Sequence, residues 1–366
     1  MPNVLMLLTN GFEPDMRVYK QALHMTGKGL SVTVFCWDRQ SRLPEEESID
    51  GIQVRRCKIP AVYGTGFRQL PAFFHFLWVC MRYVSITKWD YLHCSDLDAM
   101  LIAFFCKKAR IRKWIFDMHE FYDSGTLSKF KWLVNPLVTF LCSKATYVIF
   151  LNHLQLVYAK KCDRLKFIYL PNYPQWTKFA NIRQTNHPKI RIAYIGVVRQ
   201  FEALKVLLNE CHPLSRHVEI NIHGLGIATQ ALAELTAKIG FGTVTGQFDY
   251  ENVGSLYANA DVIFCMYDYD DHNASRAYAT KLYEAIVARC PVIVQKGTVM
   301  ADFVSKHNIG FCVDLRTPGS IAEEIYKCAT DKSIIPRLVK NAEKIRHRFV
   351  WEKIVTNLDV IFEEGA

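Results

Sequence analysis

Short apolar runs alternate with stretches of helical period along this chain, in two consecutive series. Asn3–Leu8, Ser31–Cys36, Ile52–Lys58, Tyr91–Cys94, Trp114–Met118, Tyr147–Phe150 and Phe167–Leu170 each read as a buried strand. They are short, continuous and bounded by turn residues. Between most of them apolar residues recur every three to four positions, as in Met16–Gly27, where a glycine closes the helix. Strands joined by helical crossovers pair in parallel. The stretch PNYPQWTKFANIRQTNHPK (171–189) has prolines and no period, and reads as a linker. The alternation then restarts with Ile190–Ile195, Glu219–His223, Val244–Gly246, Asp261–Met266, Pro291–Val294 and Phe311–Val313. The expectation is an α/β chain of two Rossmann-like, doubly wound parallel-sheet domains. Residues 1–173 form the first, 174–188 the linker and 189–345 the second, with a closing helix over 346–366 that packs on the first domain. Ligands of such sheets bind beyond the carboxyl ends of the strands, so a central cleft faced by both domains is the expected site.

A length of 366 residues suits two domains rather than one core. The formal charge of +10 favours an anionic partner: nucleic acid, acidic lipid or a phosphorylated small molecule. No nucleic-acid recognition motif supports the first, and no nucleic-acid partner is expected. The twelve cysteines form no CxxC pair and several lie in apolar runs, which reads as buried thiols of a reducing compartment. The N-terminus lacks the pattern of a secretory signal. The most apolar later window, Leu70–Ile86, contains His75 and Arg82 and falls short of the ~20 apolar residues of a membrane span. A cytoplasmic location is expected.

Chemistry concentrates in ATKLYEAIVARCPVIVQKG (279–297). Lys281 and Glu284 are three apart, so on a helix they share a face. In the first turn, free backbone N–H groups and the positive end of the helix dipole favour a phosphate, and Lys281 adds a point charge. Glu284 would repel phosphate and suits sugar hydroxyls instead. A surface ion pair worth a few tenths of a kcal/mol is the bland alternative. The second series opens with RIAYIGVVRQFEALKVLL, a strand, Gly196, a loop and a helix without the GxGxxG fingerprint. Arg199 in that loop either clamps a diphosphate or is a surface charge. Gly226, in INIHGLG, is either a donor contact or a plain strand-to-helix turn. No phosphate loop, HExxH or GxSxG is present. The acidic tract YDYDDHN (267–273) reads as a solvated loop, and no metal site is expected.

The order of these segments resembles the retaining glycosyltransferases of family four, which have two facing Rossmann-like domains (the GT-B type). HNASRAYATKLYEAIVARCPVI matches that family's sugar-nucleotide motif at Lys281 and Glu284, while the first acid of its Glu-x7-Glu pattern is replaced by Arg276. NGFEPDMRVYKQALHMTGKGLSVTVF looks like the family's opening strand, Gly11 loop and first helix. YLHCSDLDAMLIAFF and KWIFDMHEFYDSG resemble its acceptor-side loops. The resemblance implies donor binding by Gly11, Gly196, Arg199, Gly226, Lys281, Leu282 and Glu284. It implies catalytic roles for His119, Arg199, Lys281 and Glu284, and acceptor contacts from Asp15, Arg17, Asp96 and Glu120. An isolated histidine at a strand end is otherwise more often structural. The closing segment around FVWEKIVTNLDVIF is expected to cross back to the first domain.

Implied with the family is transfer of a sugar, with retention, from a nucleoside-diphosphate sugar to a glycan or lipid-linked hydroxyl. Arg199, Lys281 and a helix N-terminus would stabilise the departing diphosphate, with no essential metal or other cofactor. Residues 66–89 and 107–144 mix aromatics with Lys and Arg, which suits either core helices with solvated edges or contact with an anionic membrane at its inner face. The alternatives are a sugar-nucleotide epimerase of the same fold, or a protein that binds sugar nucleotides without catalysis.

Overall fold

The computed structural model describes the chain except residues 14, 63–65, 107–109, 123–128, 160–161, 164–165, 180–181, 183–186, 269–274 and 364–366. The chain forms two compact units, Met1–Pro171 with Val355–Ala366, and Asn172–Ile354.

The first unit contains β1 (Asn3–Leu8), β2 (Ser31–Asp38), β3 (Glu46–Ile49), β4 (Ile52–Lys58), β5 (Trp89–Ser95), β6 (Ile111–Asp117), β7 (Tyr147–Phe150) and β8 (Phe167–Tyr169). They make one sheet in the order β3-β4-β2-β1-β5-β6-β7-β8, parallel except where β3 meets β4. Its helices are α1 (Met16–Gly27), α2 (Leu70–Ile86), α3 (Asp96–Phe105) and α4 (Lys131–Lys144). Phe76, Cys80 and Val84 of α2 join Ala99, Met100 and Ala103 of α3 and Val134, Val138 and Leu141 of α4 in one core cluster. These three helices therefore form one layer. Right-handed crossovers place α1, whose connection runs the other way along the sheet, on the opposite face.

β3 was not anticipated. Its sequence EESI is half exposed and shows no apolar run. The readable signal was Asp50-Gly51, which turns the chain in left-handed conformation (φ 49° and 83°) as a two-residue hairpin demands.

The second unit has β9 (Ile190–Ile195), β10 (Val218–His223), β11 (Thr243–Gly246), β12 (Val262–Phe264), β13 (Val292–Gln295) and β14 (Gly310–Val313). All are parallel, in the order β11-β10-β9-β12-β13-β14. Counted within the unit this is 3-2-1-4-5-6, the order of a doubly wound nucleotide-binding sheet. Its helices are α5 (Trp176–Phe179), α6 (Phe201–Cys211), α7 (Thr229–Ile239), α8 (Val253–Ala258), α9 (Thr280–Ala288), α10 (Val299–His307), α11 (Ser320–Thr330), α12 (Ile334–Ile345) and α13 (Trp351–Ile354). The segment read as a linker is partly built in: Phe179 of α5 is fully buried, and Tyr173 packs edge-on against Tyr283 at 4.7 Å.

The closing segment is not one helix. It breaks after α13 into a 3-10 turn, Val355–Leu358, and α14 (Asp359–Glu363), and these last pieces belong to the first unit. Leu358 and Ile361 are fully buried, and Asp359 accepts from His24 and Lys28 of α1, each at 2.7 Å. Burial pushes the Asp359 carboxyl up, but Lys28 and His24 outweigh it and hold the group below its ordinary value. Its stabilising contribution is thus present above the usual carboxylate range and is lost as pH falls through it. Asp359→Ala is expected to cost about 1–2 kcal/mol and to speed amide exchange across residues 355–363. Unchanged exchange there would show that apolar burial alone holds the segment.

Candidate functional site

In each sheet the strand order reverses once, between β1 and β5 in the first unit and between β9 and β12 in the second. Loops leave such a pair of strands in opposite directions and open a crevice at the carboxyl edge. The sequence-predicted residues gather at these two places.

In the second unit the loops after β9 and β10 run side by side. Gly196 N–H donates to the His223 carbonyl at 3.0 Å, and Val198 N–H to the Leu225 carbonyl at 3.0 Å. A Cβ on Gly224 would overlap the Gly196 carbonyl, and one on Gly226 would overlap that of Val198. Gly196 and Gly224 also sit at φ 133° and 132°, which side chains disfavour. Gly226 is thus a close-approach glycine. Gly224 was missed, although its place at a strand end in HGLG was readable.

Beside Gly196 lies Lys281. Its ammonium sits 3.4 Å from the centroid of the Tyr194 ring, and a Cβ on Gly196 would lie 3.8 Å from its Nζ. Among the described residues no carboxylate pairs with it. Burial is the main influence and lowers its pKa to about 8, with Cys265 and Glu284 acting in the opposite sense. Lys281 is the second residue of α9, whose N-terminus has no side-chain cap. An uncapped helix end and an unpaired cation thus stand together at the switch point. The N-terminus of α6 differs: Asp268 accepts from Ala203 N–H at 2.8 Å. Arg199, just before that helix, is exposed.

Glu284 is not open to solvent. It is 5 % exposed and accepts from the Tyr250 hydroxyl at 2.6 Å and the Tyr257 hydroxyl at 2.8 Å, one on each oxygen. Burial, then Glu284 itself, raises both phenols, so they remain donors. The expected sugar contact of Glu284 therefore competes with two tyrosines the sequence gave no reason to pair with it. Leu282 is fully buried and presents no side chain. Of the acidic tract 267–273, residues 269–273 lie outside the described residues; Asp268 serves α6 as stated.

In the first unit the centre is Asp117, at the end of β6 and fully buried. Its Oδ2 accepts from Arg17 Nε at 3.0 Å, Gln21 Nε2 at 2.7 Å and His119 Nε2 at 3.2 Å, and its Oδ1 from Arg17 Nη2 at 2.5 Å. His93 donates to the other end of Gln21 at 3.0 Å, and Arg17 also reaches the Leu170 carbonyl at 2.9 Å. Burial alone would push the Asp117 carboxyl up, but Arg17 and His119 hold it well below the carboxylate range. For His119 burial works to lower the pKa, and Asp117 overrides it, so the imidazole sits above its ordinary value.

Arg17 and Asp15 were expected to meet an acceptor, and the structure gives both other work. Arg17 is 6 % exposed and locked on Asp117. Asp15 caps α1 through Val18 N–H at 3.2 Å and accepts from Asn10 at 3.1 Å. The Gly11 carbonyl accepts from Arg56 Nε at 2.8 Å, so Gly11 is held as a turn. Glu120 is exposed next to His119.

Asp96 stands at the end of β5 with φ 80°, a conformation that costs a non-glycine residue about 1–2 kcal/mol. Its Oδ1 accepts from Leu97 N–H at 3.0 Å, and the Tyr122 hydroxyl faces it. Thr9, at the end of β1, donates to Asp98, whose carboxyl is raised by burial and by Asp96. Thr9, Asp98, Asp117 and Tyr122 were missed. SDLD and FDMHEFY contain three of them, but no local pattern says which acid turns inward.

Two family models match the chain: "Glycosyl transferase 4-like domain" over residues 14–172 and "Glycosyl transferases group 1" over residues 189–331. Comparison with curated proteins gives no significant match. Among solved structures, sucrose-phosphate synthase from Thermosynechococcus elongatus superposes with a TM-score of 0.80 at 13% identity, covering 100% of this chain and 99% of that one. HepE of Anabaena in complex with UDP-glucose superposes at 0.72, 13% identical, covering 100% of both chains. WaaG, a glycosyltransferase involved in lipopolysaccharide biosynthesis, gives 0.66 at 13% identity, covering 98% of this chain and 99% of that one. At such identity these three share the fold.

Asp117→Asn is expected to leave Arg17 buried against a neutral amide and to destabilise the first unit by about 3–5 kcal/mol. In a variant that still folds, or in a stabilised background, His119 should titrate lower than in the wild type, because burial and Arg17 are then opposed by Asp96 alone. An unmoved His119 in an NMR titration would remove Asp117 as the cause.

Two family models that between them span most of the chain, and two doubly wound sheets, make this protein a glycosyltransferase of the two-Rossmann-domain, GT-B type.

Proposed function

We propose that this glycosyltransferase works with retention and without an essential metal, moving a sugar from a nucleoside diphosphate to a hydroxyl of a glycan or lipid-linked acceptor. The observation that carries the reading is the unpaired, desolvated Lys281 beside Gly196 at the uncapped start of α9. A cation kept out of water without a counterion is a favourable place for an anion, since the ligand recovers the energy that burial withholds. The donor diphosphate lies against Lys281, Arg199 and the first turn of α9. HepE was solved with UDP-glucose, which makes that compound the first donor to test.

The bond between the anomeric carbon and the phosphate oxygen breaks as a bond from that carbon to the acceptor oxygen forms on the same face. The acceptor proton passes to the leaving diphosphate. Lys281 and Arg199 stabilise the charge that develops there, an effect worth several kcal/mol where water is excluded. His119, held by Asp117, contacts sugar hydroxyls, and Asp96 with Glu120 binds the acceptor. Glu284 orients a ribose while the two tyrosines fix its rotamer. A sugar-nucleotide epimerase would instead consume the donor with no acceptor present, which a nucleotide-release assay separates.

Lys281→Ala is expected to lower turnover by at least about a hundredfold while leaving the melting temperature near that of wild type. Wild-type activity in that variant would end the phosphate role of Lys281. The pH dependence has a definite sign. Lys281 with its pKa lowered to about 8 is charged below that value, so nucleoside-diphosphate affinity should be flat at lower pH. Above it, affinity should fall by up to about tenfold per pH unit, one proton being linked to binding. Calorimetry of UDP binding across this range checks it, and a flat profile that persists above pH 8 contradicts it. Chelation with EDTA should leave turnover unchanged.

A further inference from the structure

The helical layer α2–α3–α4 has apolar side chains on both of its faces. On α2, Phe76, Cys80 and Val84 point into the core at intervals of four. Leu70, Phe74, Trp78 and Met81 form a second stripe on the outer side, with Phe74 60 % and Trp78 52 % exposed. Helix α4 repeats the arrangement: Val134, Val138 and Leu141 are buried, while Trp132 (73 % exposed), Leu133 and Phe140 face out. Phe104 of α3 meets Phe140 edge-on at 5.6 Å, and Phe105 beside it is 57 % exposed. A surface helix ordinarily presents one apolar stripe. Adjacent helices presenting a second one mark an interaction site.

The charge on the same layer says what covers it. Residues 66–88 and 129–144, which contain α2 and α4, hold six Lys and Arg and no Asp or Glu, while the acids of α3, Asp96 and Asp98, stand in its first turn at the sheet edge. The stretches that hold α2 and α4 are therefore positive without any acidic residue. The cations stand among the rings: the Arg82 guanidinium lies 4.7 Å from the Trp78 ring centroid, and Lys144 Nζ 5.1 Å from that of Phe140. Tryptophan and phenylalanine interleaved with Lys and Arg is the pattern that seats in the headgroup region of a bilayer. A protein partner of matching shape would not require carboxylates to be excluded from both of these stretches. Among the described residues no helix is long and apolar enough to cross a membrane, so the contact is with its surface.

The geometry points to this layer as a docking face for a bilayer containing acidic lipid. The rings of Phe74, Trp78 and Trp132 enter the interface, and Arg82, Lys131 and Lys144 meet the phosphates. Helices that cross over between parallel strands run antiparallel to them, so the starts of α2 and α4 lie at the carboxyl edge of the sheet, the edge that carries Asp96 and His119. Docking in this way delivers a lipid-linked acceptor to that edge, and this last step alone rests on the proposed function.

The test is co-sedimentation of the full chain with vesicles of phosphatidylcholine alone and with vesicles that also contain phosphatidylglycerol, at low salt and without nucleotide sugar. The wild type is expected to pellet with the acidic vesicles only and to be released by salt. Arg82→Gln with Lys131→Gln and Lys144→Gln should weaken partitioning on the order of a hundredfold. Phe74→Ser with Trp78→Ser and Trp132→Ser should abolish it while UDP binding in solution persists. Should that variant misfold, the wild type alone still decides: brominated acyl chains must quench its tryptophan emission, and Trp78→Phe with Trp132→Phe must lose most of the quenching. Equal binding to both vesicle types, no binding to either, or acidic binding untouched by the aromatic changes overturns the proposal. So does a wild-type dimer that the aromatic variant turns into monomer without any vesicle binding. Loss of UDP binding with vesicle binding intact would instead count against the donor site.

Discussion

A buried carboxylate organises the first unit. Asp117 has no solvent-exposed surface and receives four hydrogen bonds from Arg17, Gln21 and His119, so its charge is met from α1 on one side and from its own loop on the other. Removing Arg17 leaves a charge in a medium that cannot screen it, and removing Gln21 or His119 leaves the carboxylate short of a donor. The network thus fixes where α1 docks on the sheet, how His119 is turned, and that the imidazole holds its proton more firmly than in water. Arg17 and Gln21, four apart on one helical face, and His93 behind them are positioning groups.

The second unit uses the opposite arrangement. Lys281 is only partly exposed, and it rests on the face of Tyr194 with no counterion among the described residues. A ring face offers an attraction that a bound phosphate readily exceeds. In one unit a charge is fully matched and rigid; in the other a charge is left unmatched where a ligand would match it. The glycines at 196, 224 and 226 serve the same end, since backbone packed that closely leaves no side chain in the way.

Several side chains expected to meet a ligand have partners within the chain that their own segments do not reveal. Glu284 lies on the face of α9 that the KLYEA spacing places it on, yet its oxygens meet Tyr250 and Tyr257, some thirty residues away in sequence. Asp15 and Arg17 lie at the start of α1 as expected, but one is a helix cap and the other spans a hundred residues to Asp117. Asp50-Gly51 is the reverse case, a readable hairpin signal overlooked because the strand before it is polar.

Local periodicity and turn chemistry determined the strands, the crossover helices and hence the parallel sheets, because side-chain spacing and backbone preferences act within a few residues. The same local rules located the loops at the strand ends where Gly196, Lys281, Asp96 and His119 lie. Tertiary structure alone decided which of those groups is already paired. Pairing is set by strand order and register, which bring positions tens to a hundred residues apart to one sheet edge. Whether a charge there is matched or left open depends on every neighbour that arrives, and no window of sequence contains them all.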